Sequence, residues 1–284
     1  MFSRGNRIRR AALVSLIFIL ILCVFARINK TRETAMTTPA TELSVLMYHH
    51  VLKDSSYWGK YVISPSEFEQ DLQFLQNNGY TVVRLQDVVD FVQKGRALPD
   101  KAVLLTFDDG YLSFDTYITP LLEKYNASAV LSVIGSYSDD YTNNHDTNPA
   151  YAHVTWQDVK RMAESGRVEI ANHSYKMHET NERRGTMRRA GESEEAYQQT
   201  FLKDEERNRE LIQAAIGYRP ICYTYPFGFI SPESIPVLKE AKYLVTLSCT
   251  EGINYLTGAP EELFGLKRFN RPHGKSAAVI LGKK

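Results

Sequence analysis

Four short apolar runs in this sequence end in residues that can do chemistry. Ala102 to Phe107 runs into Asp108-Asp109-Gly110, and Val168 to Ala171 into Asn172-His173, with His178 a short loop further on. Leu43 to Tyr48 ends in His49-His50, and Cys222 to Tyr225 in Pro226-Phe227-Gly228. An isolated Asp-Asp-Gly is most often a turn, because glycine lets the chain bend sharply. At the end of a strand, however, two adjacent carboxylates can point in different directions, one to a metal ion and one to a water. His173 and His178 add two imidazoles that a loop, rather than one helix face, must bring together. One carboxylate and two histidines, with open positions left over, suit catalytic zinc and related divalent ions.

The elements that must position these groups alternate along the chain. Ser64-Pro65-Ser66-Glu67 reads as a helix start, with Ser64 as N-cap, proline at the first helical position and Glu67 closing a capping box. Phe68, Leu72 and Leu75 then share one face, and Gly79 ends the helix. Thr81 to Val83 is an expected strand and Leu85 to Gln93 a helix closed by Gly95. Ala102 to Phe107 is a mostly apolar strand, as in a buried parallel sheet. Further helices are expected over 119–125, from the Thr155 cap to about Ser165, over 193–216 and over 234–241, with strands at 129–134, 168–171, 222–225 and 243–247. Tyr197, Phe201, Leu211 and Ala215 form the expected buried side of the long helix. Residues 135–153 and 179–192 read as polar insertions. Alternation of this kind points to an α/β fold with a parallel sheet, either a barrel or an open sheet. In both, catalytic groups gather at the carboxyl ends of the strands.

Thr106-Phe107-Asp108-Asp109-Gly110 and His173-Ser174-Tyr175-Lys176-Met177-His178 resemble the first two motifs of the polysaccharide deacetylases, the NodB-homology domains of carbohydrate esterase family 4. Met47-Tyr48-His49 and Tyr225-Pro226-Phe227-Gly228 resemble its poly-β-1,6-N-acetylglucosamine deacetylase branch. The likeness spans about residues 43–270. It implies a distorted (β/α) barrel of about seven parallel strands, an open groove for a glycan and a divalent metal, commonly Zn2+. Carried over residue by residue, it makes Asp109, His173 and His178 the metal ligands and Asp108 the general base. The Phe227 N–H would serve the oxyanion.

Two positions depart from the family pattern. Its third motif carries an arginine that orients the catalytic aspartate, where this chain has Thr224; Arg268 or Arg219 is expected to substitute. A late Leu-x-His segment that would supply the general acid is also missing. His49 is the expected acid, with His273 as competitor, and a histidine titrating near ~6.5 suits that task at neutral pH.

The N-terminus has its own signature. Arg4, Arg7, Arg9 and Arg10 precede an apolar run from Ala11 to Ala26, interrupted by Ser15. The run is shorter than the roughly 20 residues of a typical spanning helix. Residues 1–30 are therefore expected to be a membrane anchor or a signal segment, followed by a linker over 31–42 and a catalytic domain over 43–284. The positive-inside rule puts that domain outside the cytoplasm. A net charge of +1, with 24% charged and 43% hydrophobic residues, describes an ordinary folded protein and argues against nucleic acid as a partner. No obligate protein partner is evident. With Cys23 in the apolar run, Cys222 and Cys249 allow one disulfide at most. The expected function is removal of acetyl groups from an acetylated, N-acetylglucosamine-containing polysaccharide, peptidoglycan or exopolysaccharide. The alternatives are a silent glycan-binding domain of the same fold or an O-acetyl esterase.

Overall fold

The computed structural model describes residues 40–282 and Cys23. The chain divides into two compact units, Met1–Ala40 and Thr41–Lys284. Apart from Cys23, the expected anchor lies outside the described residues, and among those that are described no helix is long and apolar enough to cross a membrane.

In chain order the second unit contains β1 (Thr41–Tyr48), β2 (His50–Val51), β3 (Val62–Ile63), α1 (Pro65–Asn77), β4 (Thr81–Val82), α2 (Leu85–Lys94) and β5 (Ala102–Phe107). Next come α3 (Thr119–Lys124), β6 (Ala129–Val133), α4 (Gly135–Asn144), α5 (Trp156–Glu164), β7 (Val168–Asn172) and α6 (Glu194–Ile216). The chain ends with β8 (Cys222–Thr224), α7 (Ser234–Glu240), β9 (Val245–Leu247), β10 (Asn254–Leu256), β11 (Phe269–Asn270) and α8 (Ala277–Leu281). The main sheet runs β10-β1-β5-β6-β7-β8-β9, parallel except where β10 meets β1. β4 adds to β5 and β11 to β1, both parallel. The segment between β10 and α8 bridges the two ends of this curled sheet. Leu266 pairs with Leu247 of β9, and Phe269 pairs with Leu46 of β1. The result is the distorted (β/α) barrel.

Local signals explain the helices. Ser64 Oγ accepts the Glu67 N–H and Glu67 returns a bond to the Ser64 N–H, which starts α1. Thr155 and Asp158 do the same for α5. α2 stops at Gly95, whose φ of 65° is the left-handed conformation glycine adopts freely. Two apolar clusters divide the strands by their period of two. Leu46 and Tyr48 of β1 and Val103, Leu105 and Phe107 of β5 pack under α1 and α5. Leu43 and Val45 of β1 and Ala102 and Leu104 of β5 pack with Val88 and Val89 of α2. The second series, continued by two along each strand, arrives at His49 on β1 and at Asp108 on β5. On β7, Ala171 of this same cluster leads to His173. Strand alternation therefore delivers three site side chains to one face at the carboxyl end.

Two features were not expected and one expectation changes. The polar insertion 135–153 folds its first half into α4. A π-helical turn, Phe114–Ile118, precedes α3. The buried stripe of α6 is Tyr197, Phe201, Glu205, Asn208 and Ile212, while Leu211 and Ala215 are only half-buried. Apolar letters alone miss that stripe because Glu205 and Asn208 are buried through their hydrogen bonds.

Candidate active site

Asp109, His173 and His178 converge at the carboxyl end of the barrel. The ring Nε2 atoms of His173 and His178 lie 3.4 and 3.2 Å from the same Asp109 Oδ1, and the three donor atoms fall within 4.8 Å of one another. Asp109 reaches this position with φ at 72°, a left-handed backbone that aspartate tolerates better than most residues. Burial alone would raise its pKa, but the bonds from His173 and His178 and the field of His49 outweigh that and hold it well below the usual carboxylate range. The His173 Nδ1–H donates to the Thr224 carbonyl at 2.8 Å, which leaves Nε2 as the atom facing Asp109. A carboxylate oxygen and two imidazole nitrogens, one ring oriented by a second hydrogen bond, form a donor set that fits a divalent ion.

The loop between the histidines is held from α6. Asn208 Nδ2 donates to the Val133 carbonyl, to Asn172 Oδ1 and to the Ser174 carbonyl. The Asp204 carboxylate accepts the N–H groups of Tyr175 and Lys176 at 2.8 and 2.7 Å. Burial pushes the Asp204 pKa up to about 6, against the pull of those two bonds. Gly135, which opens α4, packs so closely that a Cβ there would meet Asn208 Oδ1 and Tyr175. These supports left no mark in the residue pattern, because Asp204 and Asn208 read as ordinary polar helix positions.

Asp108 has a different partner. Arg268, fully buried, donates to both Asp108 oxygens, Nη1 to Oδ1 at 2.7 Å and Nη2 to Oδ2 at 2.8 Å. Its Nε donates to the Ser248 carbonyl at 2.7 Å. Burial raises the Asp108 pKa, but the Arg268 charge and hydrogen bonds bring it below its ordinary value. Arg268 comes from the segment that closes the barrel, and this is how it reaches β5 from so far along the chain. Thr224, where the family has arginine, instead bonds Ser132 at 2.7 Å. Arg219 is elsewhere, donating to the Ala241 carbonyl.

His49 and Phe227 line the same cavity as Asp108, Asp109, His173 and His178, a space of about 610 Å³ that also meets Tyr61, Tyr111 and Cys249. The His49 ring leans on Tyr61, with centroids 4.7 Å apart, and its Nδ1 is buried with no partner among the described residues. Its pKa is not the ordinary one expected. Burial lowers it, and Asp109 and Asp108 restore only part of the difference. His50 turns instead to Ser113 and the Ala150 carbonyl. His273 lies away from the cavity, against Glu67 and Trp58. The Phe227 ring rests on His178 at 4.3 Å, and its backbone is left-handed, with φ at 57°. The turn around it is held by the Gly228 and Phe229 N–H groups, which reach back to Tyr225 and Pro226, and the Phe227 N–H is in neither bond. Gly228 must be glycine, since a Cβ there would come within 2.5 Å of Cys249 Cβ. Cys222 and Cys249 are free thiols. His153, in the stretch read as an insertion, donates its Nδ1–H to the Asp109 carbonyl at 2.9 Å.

The family model described as polysaccharide deacetylase matches residues 95–246, more than half of the chain. The chain belongs to the polysaccharide deacetylase family. Among curated relatives, the poly-beta-1,6-N-acetyl-D-glucosamine N-deacetylase of Escherichia coli K12 is 26% identical over 234 residues. That alignment covers 76% of this chain but only 35% of the relative, so the chain spans about a third of its length. Among solved structures, IcaB from Ammonifex degensii superposes with a TM-score of 0.69 at 26% identity, covering 82% of this chain and 94% of that one. A de-N-acetylase from Aggregatibacter actinomycetemcomitans gives a TM-score of 0.72 at 26% identity, covering 85% and 99%.

Proposed function

We propose that the protein is a metal-dependent N-deacetylase that removes acetyl groups from a poly-N-acetylglucosamine-type exopolysaccharide. One observation carries the reading. Asp109, His173 and His178 meet at a single point, beside a carboxylate, Asp108, that a buried arginine fixes in its ionised form. A divalent ion, zinc by the chemistry of the donors, would be held by Asp109 Oδ1, His173 Nε2 and His178 Nε2. When bound, it supplies Lewis acidity, polarising the acetyl carbonyl and making water a better nucleophile at neutral pH.

The chain's own residues do the rest. Asp108 accepts the proton of the attacking water as its oxygen adds to the acetyl carbon. The Phe227 N–H donates to the developing oxyanion. His49, protonated before this step and made a stronger acid by burial, delivers its proton to the amide nitrogen as the C–N bond breaks, leaving acetic acid and a free amine. Tyr61, an exposed ring in the cavity wall, offers a face on which a sugar ring can rest. The branch assignment within the family is supported by the names of the relatives at 26% identity.

The test is mass spectrometry of oligomers incubated with the purified protein. β-1,6-linked N-acetylglucosamine oligomers should lose acetyl groups, and β-1,4-linked peptidoglycan fragments should lose them more slowly. The reverse preference would move the substrate to peptidoglycan, and no loss from either would overturn the reading.

A further inference from the structure

Asp109 and Gly110 are left-handed in succession, with φ values of 72° and 68°, and this bend turns the Asp109 carboxylate to the two histidines. Residues 152–154 lie along the bend. The Leu112 N–H donates to the Ala152 carbonyl at 2.8 Å and the Val154 N–H to the Gly110 carbonyl at 2.9 Å. Between them Tyr111 and His153 face each other as an antiparallel bridge. The Asp109 carbonyl lies one step beyond this main-chain pairing, and the His153 side chain takes it, through Nδ1–H at 2.9 Å. The bond is part-buried, and a main-chain carbonyl shielded from water without a partner would be costly, so this imidazole supplies the partner the bend lacks. The ring has little freedom to do otherwise. It stacks on Tyr111 at 4.6 Å and is flanked by Tyr137 at 4.6 Å and Tyr141 at 5.6 Å. Tyr111 is stacked from its other side by His50 at 4.0 Å.

We propose that His153 is a positioning residue, which locks the left-handed turn presenting the Asp109 carboxylate to His173 and His178. This role rests on the metal-dependent reading above and extends it to a residue that contacts no ligand side chain. It also gives the stretch 135–153 a purpose, since it carries the imidazole together with Tyr137 and Tyr141 of α4, which flank it.

Partners that orient metal-ligating groups typically change affinity by about 10–100-fold when removed. The test is a zinc titration of the metal-free full chain against a chromophoric chelator. His153→Asn places an amide N–H where Nδ1–H now lies, whereas His153→Gln places it where Nε2 lies. The Asn variant should keep an affinity near wild type. The Gln variant, and His153→Ala if it folds, should lose about 10–100-fold, with metal-free Asn and Gln variants melting at similar temperatures. Equal zinc affinity in the Asn and Gln variants would overturn the role and leave the deacetylase reading standing. A wild-type protein that binds no zinc would overturn that reading and this role with it.

Discussion

Asp108 and Asp109 are neighbours in sequence with opposite surroundings, and that difference assigns their work. Asp109 faces two imidazoles, whereas Asp108 faces a guanidinium that engages both of its oxygens. Replacing Asp108 by Asn should therefore leave metal content intact and lower turnover by about 10²–10⁴-fold, the usual worth of positioned proton transfer. Arg268→Met should behave differently. Removing one partner of a buried pair costs about 3–5 kcal/mol, so the variant should unfold at markedly lower denaturant concentration. Without the guanidinium the Asp108 pKa must rise, because burial then acts with less opposition. The acidic limb of the kcat/KM profile, set by the need for an ionised Asp108, should shift to higher pH. An unshifted limb in a folded Arg268→Met protein would separate Arg268 from the chemistry.

The elements carry these residues by simple rules, and those rules decide how much could be read beforehand. Strand alternation and the capping boxes at Ser64 and Thr155 are written in single letters and their spacings, so β5, β7, α1 and α5 were legible, as were Asp108, Asp109, His173 and His178. Arg268 could only be named as one of two arginines, because its approach to Asp108 depends on how the closing segment joins β9 to β1. His153, Asp204 and Asn208 were not legible. Their partners are main-chain atoms of distant loops, and no residue-type pattern announces a backbone acceptor. Asp204 also makes the long helix pH-sensitive. Its pKa, pushed up to about 6 by burial, exceeds the unfolded value near ~3.9, so the folded state binds its proton more tightly than the unfolded one. This group favours folding most at low pH, and that contribution is lost as pH rises through about 6. The unfolding free energy of wild type relative to Asp204→Asn should thus be highest near pH 4 and fall by about 2–3 kcal/mol towards pH 7.5. A difference that stays flat across that range would mean the carboxylate is as well solvated as an exposed one.

At the scale of the molecule, one end of a parallel barrel gathers groups from β1, β5, β7, the turn after β8 and the closing segment around a single cavity. Three of those groups, Asp109, His173 and His178, are proposed to form a metal centre. The most direct measurement is the metal content of purified wild-type protein and of Asp109→Ala, by inductively coupled plasma mass spectrometry after dialysis. The structure predicts one divalent ion per wild-type chain and close to none in the variant, since losing one of three protein ligands removes most of the affinity. A wild-type chain without a stoichiometric ion, or an Asp109→Ala chain that keeps it, would contradict the account.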